Sequence, residues 1–254
     1  MKHPLKHSIL HGVLSLLFIT ACSKSGLVKP AAQDPLDEQP VSTGNVAALA
    51  TTPVGTVTYR SNGYTVRFTN NDATFDNAVY QRMINTFFSV YPTLVNRFYT
   101  NAARTVSFTI DPSYNGVAYT SGTSVTYSAA WFHSNPEDID VVTHEVMHIV
   151  QAYTGGAPGW LTEGIADYVR YKYGVNNGPA GWSLPAWSPS QHYTNAYRVT
   201  ARFLVWLELH VRSTIVNDLN TALRNKTYSG STWNSLTGKS VDQLWADYSQ
   251  NPAL

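Results

Sequence analysis

The chain has 254 residues, 43% hydrophobic, 13% aromatic and only 13% charged, with 17 basic against 16 acidic side chains and a net charge of +1. That composition supports a packed core and excludes wholesale disorder. The near-neutral balance argues against a general nucleic-acid binder, which needs a basic surplus to displace counterions.

At the N-terminus Lys2 and Lys6 precede an apolar run, "ILHGVLSLLFITAC", too short to span a bilayer as a permanent helix. It ends in Ile19-Thr20-Ala21-Cys22, which resembles the bacterial lipobox. That resemblance implies a lipoprotein-type signal peptide over 1–21 and lipidation of Cys22 as the mature N-terminus. Cys22 is the chain's single cysteine, so no thiol remains for a disulfide or a thiolate ligand. Residues 22–52 are rich in Pro, Ser, Ala and Gly without a sustained period, and read as a flexible tether. A folded domain is expected over 53–254.

Within that domain "TVTYR" and "YTVRFTN" are rich in β-branched and aromatic residues around Ser61-Asn62-Gly63, the pattern of a hairpin. "FDNAVYQRMINTFFSVYPTLVNRFY" has helical spacing, with a break or kink expected near Pro92. "RTVSFTIDP" reads as a strand and "GVAYTSGTSVTYSAAWF" as a hairpin turning at Ser121-Gly122. Asn135 and Pro136 are a cap and first position for a helix running to about Tyr153, with Glu137 and Asp138 at the positive end of its dipole. Ile139, Val142, Val146, Ile149 and Tyr153 would be its buried stripe. A second helix is expected from about Gly159 to Tyr173, ending at Gly174. A Gly-, Pro- and Trp-rich loop over 174–191 leads to a helix around 193–211 and two further helical stretches. Strands first and helices after suggest an α+β domain.

His144, Glu145 and His148 form H-E-x-x-H on the first of these helices. The i, i+4 spacing sets both imidazoles on one face, able to grip one ion, with Glu145 beside them to reach a water. A hydrolytic zinc site takes three protein ligands and leaves one position open. Glu163 on the second helix supplies the third, and Asp167, one turn on, can accept a hydrogen bond from a ligating imidazole. Gly155, Gly156 and Gly159 allow the reversal between the helices. A third histidine six residues after the second is absent, because position 154 is Thr.

"HEVMHIVQ…PGWLTEGIADYVR" followed by "YRVTARFLVWLE" resembles the basic secretory protein family, described as peptidases of plants and bacteria, over roughly residues 55–250. That family is similar to the gluzincin metallopeptidases, whose E-x-x-x-D pattern falls here on Glu163 and Asp167. The resemblance implies a zincin-like α+β fold: a mostly antiparallel N-terminal sheet with helices, then a helical half carrying the H-E-x-x-H helix. It also implies a Zn2+ cofactor, a protein or peptide substrate, and a water that attacks the peptide carbonyl. Glu145 would take that water's proton and pass it to the leaving amine.

The negative oxygen then formed needs a neutral donor, for which tyrosine is suited. Gluzincin aminopeptidases place one ahead of a helix with a spacing matched by Tyr197, Thr200, Leu204 and Leu207. Tyr197 is therefore the choice, with Tyr193 and His192 as alternatives. Trp131, Trp182 and Trp187 would line side-chain subsites or lie in the core. Arg170 and Arg202 would meet a substrate carboxylate or pair with Asp167 or Glu208. Taken together, these readings describe a monomeric, extracytoplasmic zinc metallopeptidase tied by a lipid to the outer membrane or cell surface. The competing reading is a non-catalytic surface module that keeps fold and metal and binds a glycan or a peptide; hydrolysis of a non-peptide bond is a third.

Overall fold

The computed structural model describes residues 42–43 and 52–254. Cys22 and the expected signal peptide lie outside the described residues. The first strand, β1 (Ser42–Thr43), falls within the expected tether. It is followed by β2 (Gly55–Ser61), β3 (Tyr64–Asn70), α1 (Asn77–Phe98), β4 (Thr105–Asp111), β5 (Ala118–Ser121) and β6 (Ser124–Ser128). The second half holds α2 (Ala129–Ser134), α3 (Val141–Gln151), α4 (Gly159–Tyr173) and α5 (Tyr197–His210). The last three helices are α6 (Ile215–Arg224), α7 (Ser231–Thr237) and α8 (Val241–Gln250).

The sheet order is β1-β2-β3-β4-β6-β5. It is mixed, not mostly antiparallel. The two hairpins β2–β3 and β5–β6 are antiparallel, while β1–β2, β3–β4 and β4–β6 are parallel. The crossover through α1 is what lets β4 run alongside β3, since parallel neighbours need a long connection. β6, which buries Val125 and Tyr127, takes the place beside β4 and leaves β5, with no buried residue, at the edge. On β3, Tyr64, Val66, Phe68 and Asn70 alternate with more exposed neighbours, so one sheet face is covered and the other faces water.

α1 is capped by Asp76, whose side chain accepts from the Val79 N–H at 2.9 Å, and it runs unbroken through Pro92. The expected break is absent because Tyr91, Leu94, Val95 and Phe98 bury that turn on the core, which outweighs one missing backbone bond. The expected stripe Ile139, Val142, Val146 and Ile149 is buried and Tyr153 packs against the core, but the helix expected over 135–153 needs correction. Asn135 closes α2, its backbone N–H and side-chain amide both donating to Trp131 O, and α3 begins at Val141. α3 ends where Ala152 turns left-handed (φ 48°), and Gly155 and Gly156 at φ 114° and 78° complete the reversal into α4. α3 lies between α1, the β5–β6 hairpin and α4, and α4 packs on α5. Three helices, not two, follow α5.

Candidate metal centre

α3 buries Val142, Val146, Ile149 and Val150, which turns His144 and His148 toward α4. His144 Nε2 lies 3.2 Å from His148 Nε2 and 3.2 Å from Glu163 Oε2, and His148 Nε2 lies 3.4 Å from the same carboxylate oxygen. A tetrahedral ion with bonds of about 2.0–2.1 Å spaces its ligands by about 3.3–3.4 Å. The three donor atoms therefore already outline one face of such a polyhedron. Among the described residues they are the group of His, Cys, Asp and Glu side chains close enough to share an ion.

The far side of each ring supports this. His144 Nδ1 is 2.7 Å from Asp167 Oδ1, and His148 Nδ1 is 2.7 Å from Gln151 Oε1. Gln151 is fully buried and its amide donates to Thr162 O at 2.9 Å, which fixes the amide so that its oxygen faces the imidazole. Both Nδ1 atoms are then the protonated nitrogens, and both Nε2 lone pairs converge on one point. Two lone pairs and a carboxylate meeting there call for a positive charge, so the donor set fits a metal ion.

The electrostatics agree. Burial pushes the His144 imidazole down, but the hydrogen bonds and charges of Asp167 and Glu163 outweigh it and hold the ring well above its usual value. Burial pushes Glu163 up, and the two imidazoles outweigh it, holding its carboxyl well below the usual range.

Glu145 is buried on the flank of α3, and the Thr120 hydroxyl donates to its Oε2 at 2.7 Å. Tyr197, the first residue of α5, sets its ring nearly parallel to His144, with centroids 6.2 Å apart and planes 17° apart. It is 55% exposed, leaving one side open to an incoming molecule. Burial, with the charges of Glu163, Asp167 and Glu145, raises its phenol, so the hydroxyl stays protonated and can donate. Ala196 and Tyr197 both have positive φ, 63° and 47°. Gly164, next to Glu163, lets α5 approach α4 closely: a Cβ there would stand 2.2 Å from Thr200 Cγ2.

The alternatives to Tyr197 are occupied elsewhere. The Tyr193 hydroxyl donates to Asp242 at 2.6 Å, and burial together with that bond pushes its phenol up to about 12. His192 caps the short turn Tyr193–Asn195. Arg170 pairs with Asp138 and stacks on Trp182 instead of meeting Asp167, and Arg202 donates to Pro252 O. Glu208 is held by Arg97 and Lys172. Trp131 donates to Asp138, and Trp187 packs against the core. Sequence reasoning missed Gln151 and Thr120. The first is three residues after His148 on the same helix and so had a signal; the second had none.

A family model described as "peptidase of plants and bacteria" matches residues 60–248. A comparison with curated proteins returned no match. Among solved structures the chain is similar to an M1 zinc metallopeptidase from Deinococcus radiodurans at 16% identity and a TM-score of 0.48, covering 79% of this chain and 52% of that one. A point mutant of an M1 zinc metallopeptidase from the same organism gives 14% and 0.47 with the same coverage. The chain spans about half the length of these structures, and likeness of that degree carries no argument about its chemistry.

Proposed function

The chain belongs to the peptidases of plants and bacteria, and from that membership we propose a zinc-dependent peptidase of zincin-like fold, in which His144, His148 and Glu163 hold the ion. Zinc, when bound, supplies a Lewis acid that lowers the pKa of water and polarises a carbonyl. Asp167 and Gln151 keep the imidazoles in the tautomer that presents Nε2. Glu145 takes the proton of the attacking water and hands it to the leaving amine. Tyr197 donates its hydroxyl to the oxygen that gains negative charge as the carbonyl carbon becomes tetrahedral, an interaction absent from the ground state.

The observation that carries this reading is the 3.2–3.4 Å triangle of donor atoms with both rings braced from behind. A non-catalytic binding module has no use for the next feature, a buried carboxylate beside the ion. Burying it costs stability, a cost that a role as general base would account for. The substrate is a protein or peptide, and the peptidase domain is the segment 53–254, acting as a monomer. Among the described residues no helix is long and apolar enough to cross a membrane. Lys2, Lys6 and the lipobox-like Ile19-Thr20-Ala21-Cys22 support placing the protein outside the cytoplasm on a lipid carried by Cys22, with 22–52 as the tether.

Purified protein is tested for metal content and for cleavage of casein and a peptide library, with and without chelator, beside Glu145→Gln. The expected result is about one zinc per chain, chelator-sensitive cleavage, and a loss of at least about 100-fold in the variant, within the range of a general base. Cleavage unchanged by chelator or by the variant overturns the reading.

A further inference from the structure

We propose that Thr120 is a positioning residue for the peptidase reaction, holding the Glu145 carboxylate in the orientation from which it takes the water's proton. This rests on the peptidase reading above. Thr120 is on β5, the edge strand, and its half-buried hydroxyl reaches across to α3. There it stands 2.7 Å from Glu145 Oε2 and 3.0 Å from the Glu145 carbonyl oxygen.

Both acceptors belong to one residue. The hydroxyl's single hydrogen goes to the nearer acceptor, Oε2, and with the Glu145 carbonyl oxygen on its other side it lies between the backbone and the carboxylate, which restricts the side-chain torsions that join them. Oε2 is engaged by Thr120, and Oε1 carries no hydrogen bond among the described residues, so Oε1 is the oxygen left for the water. A glutamate side chain has several rotatable bonds and loses its geometry readily unless something grips it. General-base transfer needs the oxygen within about 2.6–3.2 Å of the proton's heavy atom, and a displacement of about 1 Å costs about 100-fold. Glu145 has no other side-chain partner among the described residues. Its aim therefore depends on a strand 25 residues upstream.

Thr120→Val keeps the shape and removes the donor; Thr120→Ser keeps the donor and removes the methyl group. In the full chain loaded with zinc, Val is expected to lower kcat about 10–100-fold with KM within about twofold, while Ser restores kcat to within about threefold. Metal content stays at the parental value in both. Thermal unfolding of Thr120→Val, Glu145→Ala and the double variant supplies a readout apart from turnover. The double variant should lose about 2–4 °C less than the sum of the single losses, the equivalent of one shared hydrogen bond. Parental kcat in Thr120→Val, a change in KM alone, failure of Ser to rescue, or additive thermal losses each overturn the proposal. A parent chain with no chelator-sensitive cleavage sinks the peptidase reading and the positioning role with it. An active parent with an indifferent Thr120→Val sinks only the latter.

Discussion

Gly164→Ala puts a methyl group into a close contact between the two helices that carry Glu163 and Tyr197. The added Cβ would stand 2.2 Å from Thr200 Cγ2 and 2.6 Å from Thr200 Cβ, where carbon atoms settle at about 3.5–4.0 Å. Thr200 has little room to turn, because it is fully buried and its hydroxyl donates to Tyr193 O at 2.6 Å. The helices must therefore part by about 1 Å. Overpacking of this kind costs about 1–3 kcal/mol, and the better helix propensity of alanine returns about 1 kcal/mol. A net loss of up to about 2 kcal/mol corresponds to a fall in Tm of up to about 8 °C for a domain of this size.

The functional loss should be larger than the thermal one. Glu163 directly precedes Gly164, and Tyr197 is one turn before Thr200, so the movement that relieves the clash draws the phenol away from His144. A shift of about 1 Å at reacting groups is worth about 100-fold in rate. Peptide hydrolysis and thermal unfolding of Gly164→Ala are compared with Gly159→Ala, where the new Cβ meets nothing within 4 Å. A deep loss of kcat is expected at Gly164 and none at Gly159. Parental kcat and Tm at Gly164 would refute the argument that this contact sets the site.

Asp167→Ala and Gln151→Leu should each weaken zinc about 10–100-fold in a competitive chelator titration, because each frees one imidazole to turn; unchanged affinity would show that the rings are held by packing alone. Ala196 has φ 63° and ψ −174°, a region suited to glycine and costing about 1–3 kcal/mol otherwise. Ala196→Gly should raise Tm by a few degrees yet lower kcat, since the relaxed backbone no longer holds Tyr197 over His144; a lower Tm contradicts this. Burial pushes Glu208 up, but Tyr168, Lys172 and Arg97 outweigh it and leave its carboxyl below the ordinary value. A depressed folded-state value contributes stability above the ordinary carboxylate range and loses it as pH falls through the folded-state value. Glu208→Gln should therefore cost about 1.5–3 kcal/mol at pH 7 in urea unfolding, with the gap to the parent closing under acid. A gap of constant size down to pH 3 would contradict the pairing.

What could be read from the chain divides along physical lines. α4 was legible to the residue because its signals are local: a glycine turn before it, an apolar stripe within it and Gly174 after it. The pairing of His144 with His148 was legible because i, i+4 spacing on a helix leaves little freedom, whereas Glu163, on the next helix, was reached through the need for a third ligand and its E-x-x-x-D pattern. The start of α3 was misread since Asn135-Pro136 carries the chemistry of a helix start, yet Asn135 is spent on closing α2. That helix, "AAWFHS", is under two turns long and shows no period of its own. Strand direction was out of reach, because what makes β6 rather than β5 meet β4 is which of the two buries its side chains. Thr120 was invisible for the same reason, its contact with Glu145 being made across space by a polar strand with no motif.

Anomalous diffraction at the zinc edge, on crystals of protein loaded with one equivalent of zinc, addresses the metal assignment directly. A single strong peak is expected about 2.0–2.2 Å from His144 Nε2, His148 Nε2 and a Glu163 oxygen, with one further position left for water. A peak elsewhere in an active protein, or none at these three side chains, would contradict it.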